Sequence, residues 1–142
     1  MKRAFWDSSA LVPICVRQEA SPSVHRLLNR FEIVVWWGTA VEIRSAIERL
    51  VRTGELTAAD HHGAERRLAR LRSSWQEIAP NEELRDQAEM LLARYPLHAA
   101  DAMQLAAAMT WAVGRPAERA FICGDERLLE AARRLRFQAI EA

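Results

Sequence analysis

Four acidic residues stand in sequence surroundings that could bring their carboxylates together. They are Asp7, Glu42, Asp101 and Asp125. Oxygen-only ligands select hard cations, so a pocket built from these side chains is expected to hold Mg²⁺ or Mn²⁺ rather than zinc. Two such ions about 3.5–4 Å apart can activate a water molecule and stabilise the leaving oxygen of a phosphodiester. The chemistry therefore depends on whether the fold places the four acids side by side.

In that scheme Asp7 and Asp101 are the expected shared metal ligands, and Glu42 and Asp125 complete the metal shell. Asp7 has no evident partner in the sequence, and a lone buried charge is costly. The other three acids each have a simpler structural explanation. Asp101 and Asp125 could serve the N-termini of their own helices. The pattern Thr39-x-x-Glu42 could be a capping box.

The elements that must position these acids alternate between strands and helices along the chain. Apolar, β-branched or aromatic runs predict strands at about 2–6, 32–36, 75–78, 120–123 and 137–140. Helical periodicity and capping signals predict helices at about 10–19, 22–30, 39–52, 57–72, 82–94, 99–113 and 125–135. Pro13 is expected in the first turn of its helix. This alternation predicts an α/β fold, one domain over 1–142, with a mostly parallel twisted sheet of about four or five strands and helices on both faces.

In such a sheet, ligand sites lie at the carboxyl ends of strands, near the point where the strand order reverses. Asp7 follows the first predicted strand directly, and Asp125 follows the strand at 120–123 after one glycine. Glu42 and Asp101 fall in the first turns of predicted helices, where the helix dipole favours an ionised carboxylate. The four carboxylates are therefore expected to converge at one edge of the sheet.

Composition sets a few further expectations. The formal net charge of +1 gives no overall basicity that would indicate nucleic acid. No apolar run approaches the roughly 20 residues that cross a bilayer, and no export signal follows the basic start, so a cytoplasmic protein is expected. Cys15 and Cys123 lie in apolar surroundings and are expected to be buried, reduced thiols. The histidines, including His61 and His62, suggest exposed helix polarity rather than a metal site.

Four segments around the acids resemble the motifs of a known family. Residues 5–12, 39–46, 98–106 and 121–128 read FWDSSALV, TAVEIRSA, HAADAMQLA and FICGDERL. In order and spacing they resemble the PIN-domain nucleases, specifically the VapC-like toxin ribonucleases of type II toxin–antitoxin pairs, and the resemblance covers the whole chain. Ser9 keeps the small polar position near the first acid, as a supporting residue. The fourth motif usually carries Thr or Ser two residues before its acid, where this chain has Cys123.

The resemblance implies an activity and a set of partners. Members of this family are typically endoribonucleases that need Mg²⁺ or Mn²⁺ and hydrolyse RNA phosphodiester bonds. They usually form homodimers, and a small antitoxin holds them inactive by laying its tail across the active-site groove. Two alternatives remain open from the sequence: a non-catalytic binding protein of PIN-like fold, and a nuclease that acts on structured DNA. Arg44, close to Glu42, is the expected contact to an RNA phosphate.

Overall fold

The sheet is the element that brings the motifs together. The computed structural model describes residues 1–17 and 19–142, and within these ranges five strands form one parallel sheet. The strands are β1 (Lys2–Trp6), β2 (Phe31–Trp36), β3 (Gln76–Ile78), β4 (Ala120–Cys123) and β5 (Gln138–Glu141). The predicted α/β fold is therefore confirmed, with every neighbouring pair of strands parallel.

The order of the strands creates a crevice in the middle of the sheet. The spatial order is β3-β2-β1-β4-β5, so the chain starts at the centre and builds first towards one edge. It then crosses to the other side of β1 for the last two strands. The strand order reverses between β1 and β4, and parallel sheets bind ligands at the carboxyl ends of strands flanking such a point.

Helices cover the sheet between the strands. In the described part of the chain they are α1 (Ser8–Val16), α2 (Pro22–Arg30), α3 (Thr39–Arg52), α4 (Ala58–Arg72), α5 (Glu82–Arg94), α6 (Ala99–Ala112) and α7 (Glu126–Arg134), with a 3-10 turn at Pro116–Glu118. None of these helices is both long and apolar enough to cross a membrane.

Strand side chains alternate between two apolar cores, one on each face of the sheet. In β1, Phe5 packs into the core beneath α5, α6 and α7, whereas Ala4 and Trp6 pack into the core beneath α1, α3 and α4. In β2, Val34 and Val35 divide between the two cores in the same way. The prediction of helices on both faces is therefore confirmed.

The first helix departs from its predicted bounds. It begins at Ser8 because Asp7 caps it, so Pro13 lies inside the helix and the prediction of a first-turn proline is wrong. The helix ends at Val16, since Arg17 has an extended backbone (φ −96°, ψ 140°). The predicted end at residue 19 also crosses residue 18, which lies outside the described residues. Both cysteines are buried and free, as expected.

Candidate metal centre

One cavity of about 350 Å³ collects all four predicted acids at the carboxyl edge of the sheet. Asp7 follows β1, Asp125 follows β4, and Glu42 and Asp101 project from the first turns of α3 and α6. These are the strand ends and helix starts that flank the reversal of strand order. We call this pocket the acid cavity.

Asp7 is the most deeply buried of the four acids, with 3% of its surface exposed. Its backbone N–H donates to the carbonyl of Ile122, which ties the ends of β1 and β4 together. Its carboxylate accepts hydrogen bonds from the backbone N–H of Ser9, at 3.0 Å, and from the Ser9 hydroxyl. Burial raises the pKa of Asp7 to about 6; the bonds from Ser9 oppose this rise, whereas the charges of Glu42 and Asp101 add to it.

Glu42 does not belong to a capping box. The N-cap of α3 is Gly38, which makes no side-chain cap, and the Thr39-x-x-Glu42 explanation is therefore wrong. Instead, the side-chain amide of Gln104 donates to Oε2 of Glu42 at 2.6 Å and to the Thr39 hydroxyl at 3.1 Å. Burial raises the pKa of Glu42, and the hydrogen bonds from the Ser8 and Gln104 side chains partly oppose that rise.

Asp101 and Asp125 do serve their own helices, as the simpler explanation proposed. Oδ2 of Asp101 accepts from the His98 backbone N–H at 3.4 Å, and Oδ1 of Asp125 accepts from the Arg127 N–H at 2.9 Å. Each of these bonds uses one oxygen, so each carboxylate has a second oxygen that can serve a ligand in the cavity. Burial raises the pKa of Asp101, and the neighbouring charge of Asp125 contributes to the rise.

Cys123 takes the place of the hydroxyl that the resemblance leads one to expect. Its sulfur lies 3.7 Å from Oδ2 of Asp7 and 3.6 Å from the Ser9 hydroxyl, and the N–H of Asp125 donates to it at 3.3 Å. Burial, with the charge of Asp7, raises the pKa of the thiol to about 12. The thiol is therefore neutral, and its single hydrogen can be donated either to the Asp125 carbonyl, at 3.3 Å, or to Asp7, as a hydroxyl's could.

Ser9 links the two loops that carry Asp7 and Asp125. Its hydroxyl donates to Asp7 and accepts from the backbone N–H of Gly124 at 2.9 Å. A side chain at Gly124 would crowd this junction, because an added Cβ would lie 3.1 Å from the Ser9 carbonyl oxygen. Ser9, predicted from the sequence as a supporting residue, therefore bridges the two loops.

The donor set of the acid cavity suits a hard divalent cation. Four carboxylates supply oxygen ligands, which Mg²⁺ and Mn²⁺ prefer. Across residues 1–17 and 19–142, no Lys or Arg nitrogen lies within 4.0 Å of these carboxylates; the His98 ring, at 3.8 Å from Asp101, is the nearest ionisable base. Among the described residues the acids thus have no Lys or Arg as a direct ion-pair partner, although the charges of His98 and Arg127 act to lower the pKa of Asp101.

Arg44 lies away from the acid cavity. Its guanidinium is 3.6 Å from carboxylate oxygens of both Glu48 and Glu65, and the same two oxygens lie 2.8 and 3.0 Å from Nε2 of His61. The histidine and the two glutamates bring their ligand atoms within 4.8 Å of one another, close enough for a metal ion, which the sequence did not suggest. Since Arg44 already opposes the glutamate charges, we interpret this cluster as an ionic link between α3 and α4.

Sequence reasoning missed two residues that shape the site, one in the lining of the acid cavity and one behind it. Arg49 lines the cavity on the same face of α3 as Glu42, seven residues away and therefore about two helical turns along. Gln104 is a buried amide that follows Asp101 by three residues on α6 and supports Glu42 from behind the lining. The helical period was the available signal for both, because residues separated by three, four or seven positions share a face.

Comparison with known proteins supports the fold. No family model matches the chain, and no curated protein matches it. Among solved structures, PAE2754 from Pyrobaculum aerophilum aligns with a TM-score of 0.66 at 17% sequence identity, over 99% of this chain and 83% of that one. A likeness at this identity shows a shared fold alone, so the resemblance to PIN-domain nucleases stays a prediction.

Proposed function

We propose that the protein is a Mg²⁺- or Mn²⁺-dependent endoribonuclease that hydrolyses RNA phosphodiester bonds. The observation that carries the proposal is the convergence of four carboxylates from four separate elements on one cavity at the reversal of strand order. No Lys or Arg within the described ranges pairs with them. Cations that bind this site would offset a repulsion that the chain itself leaves in place.

Each side chain of the site has a role in this proposal. Asp7 and Asp101 would hold the ion or ions, and Glu42 and Asp125 would complete the shell. When bound there, Mg²⁺ or Mn²⁺ would supply an activated water molecule and charge stabilisation for the leaving oxygen. Gln104 fixes the Glu42 carboxylate through its 2.6 Å hydrogen bond.

Protonation of the carboxylates should set the pH range of activity. Because the pKa of Asp7 is raised to about 6, this carboxyl keeps its proton in mildly acidic solution and must lose it to bind a cation. The raised pKa values of Glu42 and Asp101 act in the same direction. Activity should therefore fall as the pH decreases through about 6.

We also propose that the protein is the toxin of a type II toxin–antitoxin pair, and that it forms a homodimer. The resemblance of the four acid-containing segments supports this part of the proposal. Trp37 and Val41, near the start of α3, are 56% and 70% exposed and offer an apolar surface to a partner protein, on the side of α3 that carries Arg44 and outside the lining of the acid cavity. Because the proposed substrate is cellular RNA, we propose that the protein acts in the cytoplasm.

Cleavage of a mixed RNA pool by the purified protein tests the proposal. Reactions would contain Mg²⁺, Mn²⁺ or a chelator, and single-stranded and structured DNA would be offered in parallel. Asp7→Asn and Asp101→Asn should abolish cutting, whereas Asp86→Asn, at an exposed position on α5, should not. Preferential cutting of the DNA would move the proposal to a DNA nuclease. A folded protein that binds no divalent metal would favour a non-catalytic binding function.

The metal measurement must separate the acid cavity from the cluster at His61. Calorimetric titration with Mg²⁺ should show binding that Asp7→Asn removes and His61→Ala leaves unchanged. A transition metal such as Zn²⁺ could instead bind the imidazole together with Glu48 and Glu65. Mg²⁺ binding that depends on His61 rather than on Asp7 would contradict the assignment of the metal centre.

A further inference from the structure

Arg49 adds a basic side chain to the lining of the acid cavity, which also contains the four acids. Glu42, Ala46 and Arg49 are spaced i, i+4 and i+7 on α3, and all three line the cavity. Val12 and Pro13 of α1 also line the cavity. Among the cavity-lining residues that the structure describes, Arg49 is the only Lys or Arg.

Arg49 forms no ion pair with the carboxylates of the described residues. In the ion pairs of the described chain, Arg44 pairs with Glu48 and Glu65, whereas no carboxylate lies within 4.0 Å of the Arg49 guanidinium. The side chain is exposed at the cavity mouth. An anionic ligand can therefore reach it without displacing a protein partner.

The position of Arg49 along α3 indicates which part of a ligand it would meet. Seven residues correspond to a rise of about 10 Å from Glu42. This spacing sets the Arg49 backbone two turns from the acids, which suits contact with a neighbouring phosphate of the same strand better than with the phosphate that the acids would hold. The small side chain of Ala46 lies between them and leaves room for a backbone to pass.

We propose that Arg49 forms a phosphate subsite that binds the RNA phosphodiester next to the one that is cut. This inference rests on the proposed ribonuclease function and names a substrate contact within it. A guanidinium can hold a phosphate with two parallel hydrogen bonds, which a lysine cannot reproduce. Arg49 acts here as a positioning residue that contributes to ground-state binding, and the carboxylates carry the chemistry.

Cleavage kinetics on a short single-stranded RNA would test the subsite. Arg49→Ala should raise KM by roughly 10-fold or more, as for a lost charge-assisted hydrogen bond, with kcat changed less than about threefold. The slope of log(kcat/KM) against log[KCl] should become shallower by about 0.7, the value for one phosphate contact on a single strand. Arg49→Lys should restore the salt slope and only part of KM.

The matched control is Arg52→Ala. Arg52 is an exposed arginine one turn further along α3 and outside the cavity lining, so this variant should leave KM unchanged. If the wild type cuts RNA and Arg49→Ala has a normal KM and salt slope, the subsite is wrong and the ribonuclease proposal stands. A loss confined to kcat would also overturn the subsite.

If the wild type cuts no RNA, the ribonuclease proposal fails, and a measurement of RNA binding then tests the phosphate subsite separately. The probe is then a fluorescently labelled single-stranded RNA, followed by anisotropy in Ca²⁺. Equal affinities of the wild type and Arg49→Ala would overturn the subsite. Weaker binding by Arg49→Ala, with the same reduction in salt slope, would support it.

Discussion

Replacing Asp7 by asparagine should stabilise the metal-free protein at neutral pH. In the folded chain the pKa of Asp7 is raised from 3.8 to about 6, chiefly by burial, and the side chain is only 3% exposed. Each pKa unit corresponds to about 1.4 kcal/mol, so the ionised carboxylate costs about 3 kcal/mol of folding free energy. Asparagine removes the charge and keeps an oxygen that can accept from the Ser9 N–H.

The pH dependence of this effect follows from the direction of the shift. A folded-state pKa above the unfolded one means that the native state binds the proton more tightly. The stabilising contribution is therefore fully present below pH 3.8 and is lost as the pH rises through about 6. Above pH 6 the wild type should carry the whole cost, and Asp7→Asn should not.

Thermal and urea unfolding in chelator, followed by circular dichroism, would measure the difference. At pH 8 the Tm of Asp7→Asn should exceed that of the wild type by roughly 10 °C, as expected for about 3 kcal/mol in a domain of this size. The gap should narrow progressively between pH 6 and pH 4. Saturating Mg²⁺ should then raise the Tm of the wild type alone, because binding to the native state stabilises it.

Two results would refute the reasoning about Asp7. A variant no more stable than the wild type at pH 8 in chelator would mean that the buried charge carries no cost. An equal gain from Asp86→Asn, at an exposed site on α5, would mean that the effect comes from net charge rather than from the acid cavity.

Three further substitutions probe how the site is supported. Gln104→Leu should lower the free energy of unfolding by about 1–3 kcal/mol, because it leaves the buried Thr39 hydroxyl without its amide partner and leaves Glu42 with the Ser8 hydroxyl alone. It should also weaken Mg²⁺ binding; urea unfolding and calorimetry measure the two effects. Gly124→Ala should weaken Mg²⁺ binding with little change in helix content, since its Cβ would lie 3.1 Å from the Ser9 carbonyl oxygen and displace the loop of Asp125. Cys123→Ser should keep metal-dependent activity, whereas Cys123→Val should lower it, because only serine retains a donor towards Asp7.

Each of these expectations has a clear contrary result. Unchanged Mg²⁺ affinity in Gln104→Leu would show that Glu42 does not depend on its amide partner. A normal metal affinity in Gly124→Ala would show that the junction at Ser9 can relax. Equal activity in the serine and valine variants of Cys123 would show that the thiol fills space without donating a hydrogen bond.

The sequence contained enough information to predict the sheet and the edge at which the acids meet. Buried strands are short apolar runs, and their carboxyl ends are forced to one edge by parallel pairing. It was less informative about the direction in which each carboxylate points. The Thr39-x-x-Glu42 spacing fits a capping box, but the buried amide of Gln104 binds both side chains instead. Gln104 is separated along the chain by 65 positions from Thr39 and by 62 positions from Glu42, so local spacing could not reveal the contact.

The positions of Arg44 and Arg49 show how helical geometry, and not nearness in sequence, decides which side chain lines the cavity. Residues two apart on a helix point about 200° apart, so Arg44 projects away from Glu42. Arg49, seven residues on, returns to within about 20° of the Glu42 direction. Nearness in sequence favoured Arg44, whereas the helical period alone favours Arg49, the arginine that lines the cavity.

The capping roles of three of the four acids do not explain why they are acids. Asp7, Asp101 and Asp125 each accept a backbone N–H at a helix start, but asparagine caps a helix about as well as aspartate. The ionised form of these side chains is the one that costs folding free energy, since burial and mutual repulsion raise the pKa values of Asp7 and Asp101. Glu42 caps nothing, and its pKa is raised as well. Capping accounts for the oxygens at these positions, and the divalent cation that we propose would account for their charge.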